Sequence, residues 1–316
     1  MGPGNQTYLT EFILVGFSHN RQICLLLFFT FLFIYILTAL GNTLLICTVV
    51  IAPKLHTPMY FFLCNLSFID LCFSTCSVPK ILFDILSKER KISMVSCMAQ
   101  MNIGLFLGTT EVVLLAVMAY DRYIAICFPL YYTTIMNWKV CQNIAVIMWS
   151  LAFFTSVVPT VSKPLIFCTE NKLNHFACEI LVLMEIACGN LKYFRMRSFV
   201  LGLLMLMTPF IFIVVSYCLI ISSIQKIKST GGRSKAYSTC ASHLTVIIMF
   251  YGTSITMYVG QTKYLFPIQK YISLAYGVFT PALNPLIYSI RNNEVKEKLI
   301  EIITKSFSMI TIKLTR

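Results

Sequence analysis

The stretch ICLLLFFTFLFIYILTALGNTLLICTVVI (residues 23–51) contains no Asp, Glu, Lys or Arg. A helix of about 20 mostly apolar residues is long enough to cross the hydrocarbon core of a membrane. Six further stretches are similar, since four carry no charge and two carry one each, Asp70 and Glu111. We therefore predict an all-α membrane protein with seven transmembrane helices, named spans 1 to 7: 23–51, 55–79, 92–120, 140–162, 198–225, 236–262 and 271–290.

The composition supports this prediction and excludes several soluble classes of protein. Of the 316 residues, 58% are hydrophobic and only 12% are charged, whereas a soluble domain carries about 25% charged residues. A disordered chain, a soluble nucleic-acid-binding domain and most soluble enzymes are therefore excluded. The net charge of +13 is better explained by basic loops that face anionic lipid, so we expect membrane lipid and no nucleic acid as a partner.

The loops between the spans are short, so we expect a single domain over residues 1–316. The first twenty residues lack the basic and apolar regions of a signal peptide, so span 1 would itself target the chain to the membrane. After the last span, charged and apolar side chains alternate from Glu294 to Lys305. This pattern predicts a short amphipathic helix on the membrane surface, with a solvated helical tail as the alternative.

The orientation must be inferred from features other than positive charge, because Lys and Arg divide almost evenly between the two faces. Asn5 begins an Asn-Gln-Thr sequon, which is glycosylated only on the lumenal side. Four cysteines fall in loop regions on the same side, where an oxidising compartment allows disulfides, and four cysteines permit three pairings. They are Cys97, Cys168, Cys178 and Cys188. We expect residues 1–22 outside the plasma membrane and residues 291–316 in the cytoplasm.

Six sequence motifs follow one another in a fixed order. They are Gly41-Asn42, LHTPMYFFLCNLSFIDLCF (55–73), MAYDRYIAIC (118–127), Ser216-Tyr217, KAYSTCASH (235–243) and PALNPLIYSIRN (281–292). In this order they resemble the motifs of vertebrate olfactory receptors, a branch of the rhodopsin-like G-protein-coupled receptors, over nearly the whole chain. The family usually has Phe in place of Tyr237 and often Val in place of Ile124, and both changes are conservative.

The resemblance implies a receptor and not an enzyme. A volatile odorant would bind within the helix bundle, and a heterotrimeric G protein of the stimulatory olfactory type would then raise cyclic AMP. Cys97 would form a disulfide with Cys178, and Cys168 with Cys188. Arg122 would pair with Asp121 at rest and reach the G protein when released, although a lone interfacial Arg can also extend to lipid head groups. The residues implied in activation are Asp121, Arg122, Tyr123, Tyr217, Asn284, Pro285 and Tyr288.

Asp70 and Glu111 are carboxyl groups at matching depth in the membrane. At a rise of about 1.5 Å per residue, they lie about 18 and about 17 Å from the same face. Each costs roughly 3 kcal/mol to place near mid-bilayer, which indicates a role. The spans hold no Lys or Arg to neutralise them, so they either share a proton or bind a cation. In the receptors that this chain resembles, the pair equivalent to Asp70 and Glu111 is thought to hold a sodium ion. The resemblance places Asn42 and Asn284 near this pair.

The predicted ligand pocket lies between the spans. In spans 3 and 6 its residues recur at helical spacing on one face, and they match positions that face the pocket in related receptors. Ordinary packing produces the same spacing, but two glycines on one face would leave open volume. The predicted residues are Gly104, Leu105, Gly108, Thr109, Val112, Leu201, Met205, Tyr251, Ser254, Ile255, Tyr258 and Leu274. Because they carry no formal charge, we expect a small, neutral, mainly apolar ligand.

Two other functional classes could use the same residues. A transporter or channel could relay protons through Asp70 and Glu111, but neither internal repeats nor paired broken helices are visible in the sequence. An intramembrane hydrolase could use the same two carboxyls, but the sequence around them lacks a Gly-rich catalytic context. The sequence therefore favours the receptor.

Overall fold

The computed structural model describes residues 9–17, 20–87, 89–168, 170–226, 229–258, 266–291, 295–298, 300–301 and 304. Within these ranges, the side chains of residues 235, 238–239, 258, 266–268 and 289–291 are not described. The predicted glycosylation site at Asn5 lies outside the described residues.

In the described part of the chain, seven helices form the predicted all-α bundle. Among the described residues, six helices are long and apolar enough to cross a membrane. The seventh is divided by a π-helical turn (Ala275–Phe279) into two helical segments. Helices 1 to 7 are Arg21–Ile51, Pro58–Leu86, Met94–Cys127, Trp138–Ser162, Lys192–Gln225, Thr230–Tyr258 and the pair Phe266–Leu274 and Thr280–Arg291.

The helices extend beyond the apolar stretches that predict them. Helix 2 continues past Pro79 to Leu86, and helix 3 continues past Tyr120 to Cys127. Helix 5 begins at Lys192, before the predicted span. Hydrophobicity marks only the part of a helix suited to hydrocarbon, whereas the backbone hydrogen bonds of a helix continue equally well into the polar interface.

Two small β-sheets cover one end of the bundle, and the sequence analysis did not predict them. Strand β1 (Glu11–Leu14) pairs antiparallel with β2 (Lys91–Ser93) and parallel with β4 (Lys172–Leu173). Strand β3 (Ile166–Phe167) pairs antiparallel with β5 (Ala187–Cys188). Strands of two to four residues are too short to give a recognisable alternating pattern. The N-terminal segment thereby joins the loop before helix 3 to the loop before helix 5.

The bundle therefore has two distinct ends. The disulfide end comprises β1 to β5 and the loop segments around Cys97, Cys168, Cys178 and Cys188. The Arg122 end is the opposite end, where helices 3, 5 and 6 meet. Short 3₁₀ helices, Pro53–Leu55 and Pro129–Tyr131, begin two of the connections there.

The described part of the tail is helical, and one of its apolar side chains packs on the bundle. Residues 295–298 are helical, as are 300–301 and 304. Val295 is buried and packs against the main hydrophobic core, whereas Lys296, Glu297 and Ile300 are exposed.

Candidate functional site

A cavity of about 220 Å³ lies between helices 2 to 7, under the loop that precedes helix 5. Eight of the twelve predicted pocket residues line it. These are Gly104, Leu105, Gly108, Thr109, Val112, Leu201, Met205 and Ser254. Helix 3 contributes five of the eight, so the face predicted on that helix is the face that borders the cavity.

Gly104 and Gly108 keep this wall of the cavity open. A Cβ atom added to either glycine would meet no atom within 4 Å, apart from neighbours along the chain. Both glycines therefore face empty space, as their position on one helical face predicts. A larger side chain at either position would reduce the volume of the cavity.

Three predicted residues do not line the cavity. Tyr251 is only 1% exposed, and its hydroxyl donates a hydrogen bond to the Val112 carbonyl oxygen at 3.3 Å. Leu274 packs in a separate cluster with Phe31, and Ile255 packs against the main core. Helical spacing identifies a buried face but does not distinguish a void from packed side chains. The fourth, Tyr258, has a side chain outside the described set.

Helix 7 presents a different set of residues from the one predicted. Ser273, Tyr276 and Gly277 line the cavity in place of Leu274. The π turn Ala275–Phe279 follows directly after Leu274, and a π turn widens the helix locally and changes which side chains share a face. The sequence gives no clear signal for this turn.

Helix 4 forms a wall that the sequence analysis missed. Thr155, Ser156, Pro159 and Thr160 line the cavity, and a π-helical turn (Phe153–Val157) lies at this level. The cavity wall also includes four charged residues: Glu111, Glu179, Arg195 and Arg197. The predicted pocket residues carry no formal charge, but the cavity as a whole does, because helix 3 adds Glu111, the loop adds Glu179, and the start of helix 5 adds the two arginines.

The loop over the cavity is held by disulfides and hydrogen bonds. Cys97 is bonded to Cys178, with 5.4 Å between their Cα atoms, and Cys168 is bonded to Cys188. Gln100 of helix 3 accepts a hydrogen bond from the Cys178 backbone N–H at 2.9 Å and donates one to the Cys76 carbonyl oxygen at 3.1 Å. The two disulfides are those implied by the resemblance.

Glu179 joins the same loop to helix 7. Its carboxylate accepts hydrogen bonds from the hydroxyls of Ser273, at 3.1 Å, and Tyr276, at 2.9 Å. The neighbouring His175 is buried, and its Nδ1 accepts a hydrogen bond from the Ala177 backbone N–H at 3.2 Å. Burial lowers the pKa of the His175 imidazole below its usual value, and Glu179 opposes that shift only in part.

Asp70 lies in a buried polar core between helices 1, 2, 3 and 7. Asn284 Nδ2 donates hydrogen bonds to both carboxylate oxygens of Asp70, at 3.2 and 3.0 Å. Asn42 Nδ2 donates to the Pro281 carbonyl oxygen at 3.0 Å, which joins helices 1 and 7. Glu111 is close enough for its charge to act on Asp70. The structure thus brings together the four residues that the sequence analysis grouped.

Three oxygens of this polar core lack a donor. Asn42 Oδ1, Glu111 Oε1 and Asn284 Oδ1 are buried and have no hydrogen-bond partner among the described residues. Each carries lone pairs that could contact a cation, and hard cations prefer oxygen ligands. The donor set therefore fits a small hard cation such as sodium.

Gly41 permits the close approach of helices 1 and 7 beside this core. A Cβ atom at Gly41 would lie 3.0 Å from Cγ of Pro285. Pro285 lies within the helical segment Thr280–Arg291. The motifs Gly41-Asn42 and Asn284-Pro285 therefore contact each other where helices 1 and 7 meet.

Most of the predicted activation residues lie at the Arg122 end, whereas Asn284 and Pro285 belong to the contact of helix 7 with Asp70 and Gly41. The Tyr217 hydroxyl lies 2.7 Å from Nδ1 of the fully buried His243. Four buried atoms there have no hydrogen-bond partner in the described part of the chain: Asp121 Oδ2, Arg122 Nε, His243 Nε2 and Tyr288 OH. His243 ends the quoted motif KAYSTCASH, but the sequence analysis did not select it.

The expected pair between Asp121 and Arg122 is not present. The salt bridges among the described residues do not include it. Asp121 Oδ1 instead accepts a hydrogen bond from the Tyr132 hydroxyl at 2.8 Å. Tyr123 packs edge-on against Phe128, with 5.7 Å between ring centroids. Neighbours along a helix point in different directions, so Asp121 bonds to the following connection and not to the adjacent Arg122.

The olfactory receptor family model matches residues 31–306 of this chain. The chain belongs to the olfactory receptor family. Human olfactory receptor 13C9 is 47% identical over 303 residues, which cover 93% of this chain and 95% of the relative. Human olfactory receptor 13C2 is 45% identical over 311 residues, covering 96% and 98%. The olfactory receptor-like protein OLF3 of Canis lupus familiaris is 45% identical over 298 residues, covering 94% of each chain.

As an olfactory receptor, the chain is a multi-pass membrane protein and a signalling receptor, not an enzyme. The family implies odorant ligands and coupling to a G protein in general. The resemblance inferred from the six motifs is therefore confirmed. The family assignment also favours the receptor over the transporter or channel that Asp70 and Glu111 alone would allow.

Proposed function

We propose that this olfactory receptor binds small volatile molecules in the cavity beside Gly104 and Gly108, and thereby activates a stimulatory G protein that raises cyclic AMP. The observation that carries the proposal is the open cavity within a bundle whose opposite end holds unpartnered polar atoms around Arg122. The cavity, at about 220 Å³, is smaller than the roughly 300–1,000 Å³ of drug-sized sites, which favours small ligands. Removal of alkyl groups from water would supply most of the affinity, at roughly 0.8 kcal/mol per methylene.

The proposal includes an orientation. The disulfide end would face the outside of the plasma membrane, where cysteines oxidise, and the Arg122 end would face the cytoplasm and the G protein. An epitope tag at residue 1 should be accessible on intact cells. A tag that is accessible only after permeabilisation would reverse this orientation.

A cyclic-AMP reporter assay with a broad odorant panel tests the ligand and the coupling. Gly108→Val should weaken large agonists more than small ones, because the added methyl groups occupy the cavity. Gly252→Val is the matched control: Gly252 is exposed, does not line the cavity, and a Cβ there would meet no atom within 4 Å. Equal losses in the two variants, or no cyclic-AMP response to any odorant, would contradict the proposal.

We further propose that Asp70 and Glu111 share a sodium ion. The three buried oxygens without a donor, on Asn42, Glu111 and Asn284, support this proposal. Thermal unfolding of the purified receptor should shift to higher temperature when sodium chloride replaces choline chloride. Asp70→Asn and Glu111→Gln should each remove this shift. The double variant should lose less stability than the sum of the losses in the two single variants.

Asp84 provides a matched control for the sodium experiment. It is another buried carboxyl of helix 2, but it is paired with Lys80. Asp84→Asn should therefore change stability without changing the sodium shift. Additive losses in the double variant, with the same sodium response as the wild type, would leave a protonated carboxyl pair as the better description.

A further inference from the structure

One part of the cavity wall, between helices 4 and 5, is polar. We call it the polar wall, formed by Thr155, Ser156, Thr160, Arg197 and Ser198. Residues 155, 156 and 160 belong to the wall that the sequence analysis missed, and Arg197 lies near the start of helix 5. A ligand that occupies the cavity can therefore place hydrocarbon against Gly104, Leu105 and Gly108 and meets polar groups here.

The hydroxyl hydrogens of helix 4 on this wall are already used. Thr155 Oγ1 donates to the Leu151 carbonyl oxygen at 2.7 Å, and Ser156 Oγ donates to that of Ala152 at 2.6 Å. The Thr160 hydroxyl is directed to Asn102 Oδ1 of helix 3 and lies 2.8 Å from the Val157 carbonyl oxygen. These hydroxyls present lone pairs to the cavity, so a ligand oxygen that accepts hydrogen bonds needs a donor from another residue.

Arg197 is the charged donor on the polar wall with N–H groups to spare, whereas the Ser198 hydroxyl is directed to Met184 Sδ at 3.9 Å. One of its guanidinium nitrogens donates to the Pro159 carbonyl oxygen at 2.6 Å. Its Cζ lies 5.4 Å from the ring centroid of Phe194 and 5.9 Å from that of Tyr193, which holds the planar group in place. A guanidinium has five N–H donors, and Arg197 forms no salt bridge with any described carboxylate.

The charges around Arg197 also favour an electron-rich group. Arg195 lines the cavity as well, and the ammonium of Lys163 lies 4.5 Å from the centroid of the Tyr193 ring. Glu185 is an exposed carboxylate whose charge interacts with Arg195. On this side of the cavity the two arginines outnumber the nearby carboxylate Glu185, whereas Glu179 is bonded to helix 7. This excess of positive charge favours a carbonyl dipole or a carboxylate.

We propose that Arg197 binds the oxygen-bearing end of the ligand, a carbonyl or carboxylate oxygen, while the hydrocarbon part lies toward Gly104 and Gly108. The guanidinium would donate through N–H groups that Pro159 does not use, and a carboxylate could accept two parallel hydrogen bonds. This inference rests on the proposed function and names the chemical class of ligand for the same cavity.

Thermal unfolding of the purified receptor with three eight-carbon probes tests the proposal. Octanoic acid and 2-octanone carry the oxygen, and octane does not. The two oxygenated probes should stabilise the wild type more than octane does. A hydrogen bond to a charged donor corresponds to roughly ten- to hundredfold in affinity, so Arg197→Met should weaken the oxygenated probes by about that factor and leave octane unchanged.

Two further variants separate binding from folding. Arg197→Gln keeps one donor for the Pro159 carbonyl but removes the charge and the planar fork, and it should also lose the preference for oxygenated probes. Lys163→Met removes a nearby cation that does not line the cavity, and it should keep the preference.

Several results would overturn the proposal. The first is a wild type that octanoic acid and 2-octanone stabilise no better than octane does. The second is a preference for oxygenated probes that survives in both Arg197 variants. The third is a preference for oxygenated probes that is lost in Thr109→Val but retained in the Arg197 variants. The last would place the ligand oxygen at the deeper hydroxyl. These results concern binding alone, whereas a failure of the proposed function would appear as an absent cyclic-AMP response to the whole odorant panel.

Discussion

At the disulfide end of the bundle, two disulfides and two small sheets hold the loops against the helices. At the Arg122 end, by contrast, polar atoms of Asp121, Arg122, His243 and Tyr288 are buried without a hydrogen-bond partner in the described chain. A buried polar atom without a partner costs about 1–3 kcal/mol. An arrangement or a protein partner that satisfies these atoms would therefore compete with the present one. One end is therefore held by covalent and backbone bonds, whereas the other contains polar atoms that a different arrangement could satisfy.

The largest effect should follow from breaking the disulfide end. Cys97→Ser removes the bond to Cys178, which ties helix 3 to the loop over the cavity, and such a bond is generally worth about 2–5 kcal/mol. We expect the amount of receptor at the cell surface to fall strongly, as measured by flow cytometry with an N-terminal tag. Cys47→Ser, at an exposed free cysteine of helix 1, should have little effect. A free Cys97 thiol in non-reducing peptide mapping would contradict the bond.

The next effect tests the Arg122 end and should spare the fold. Arg122→Ala removes the cation whose charge acts on Tyr217, His243 and Tyr288, so it should abolish the cyclic-AMP response. Surface expression and ligand-induced thermal stabilisation should remain, because the disulfide end and the cavity are unchanged. A normal cyclic-AMP response at equal surface expression would show that Arg122 is not needed for switching.

The smallest expected effect is a dependence of receptor stability on pH, which arises from His175 at the disulfide end. Burial lowers the pKa of His175 below its unfolded value, so the unfolded chain binds more protons than the folded receptor below about pH 6.5. Stability should therefore fall as pH decreases from 7.5 to 5.5. Glu179 opposes this trend, and the positive charge of Lys270 adds to it.

The variant His175→Asn should show a weaker dependence of thermal unfolding on pH. His56→Asn, at an exposed histidine near the Arg122 end, should keep the dependence of the wild type. If the wild type and His175→Asn respond equally to pH, the titrating group lies elsewhere.

Much of the architecture could be predicted from the sequence alone. The charge-free stretches predict the helices because hydrocarbon excludes charged side chains and requires the backbone to satisfy its own hydrogen bonds. The matching depths of Asp70 and Glu111 follow from the fixed rise of a helix, and Gly104 and Gly108 share a face for the same reason. These properties depend on local spacing, which a linear sequence contains.

Only the tertiary structure shows which side chains meet across the bundle. The sequence places Arg195 and Arg197 just before a span, but only the folded loop and helix 5 bring them to the cavity wall. The pairing of β1 with β2 and β4, the π turn that replaces Leu274 with Tyr276, and the bond from Tyr132 to Asp121 are equally non-local or irregular. Each depends on distances between segments that are far apart in the chain or on a local departure from regular helix, and neither hydrophobicity nor helical spacing records these.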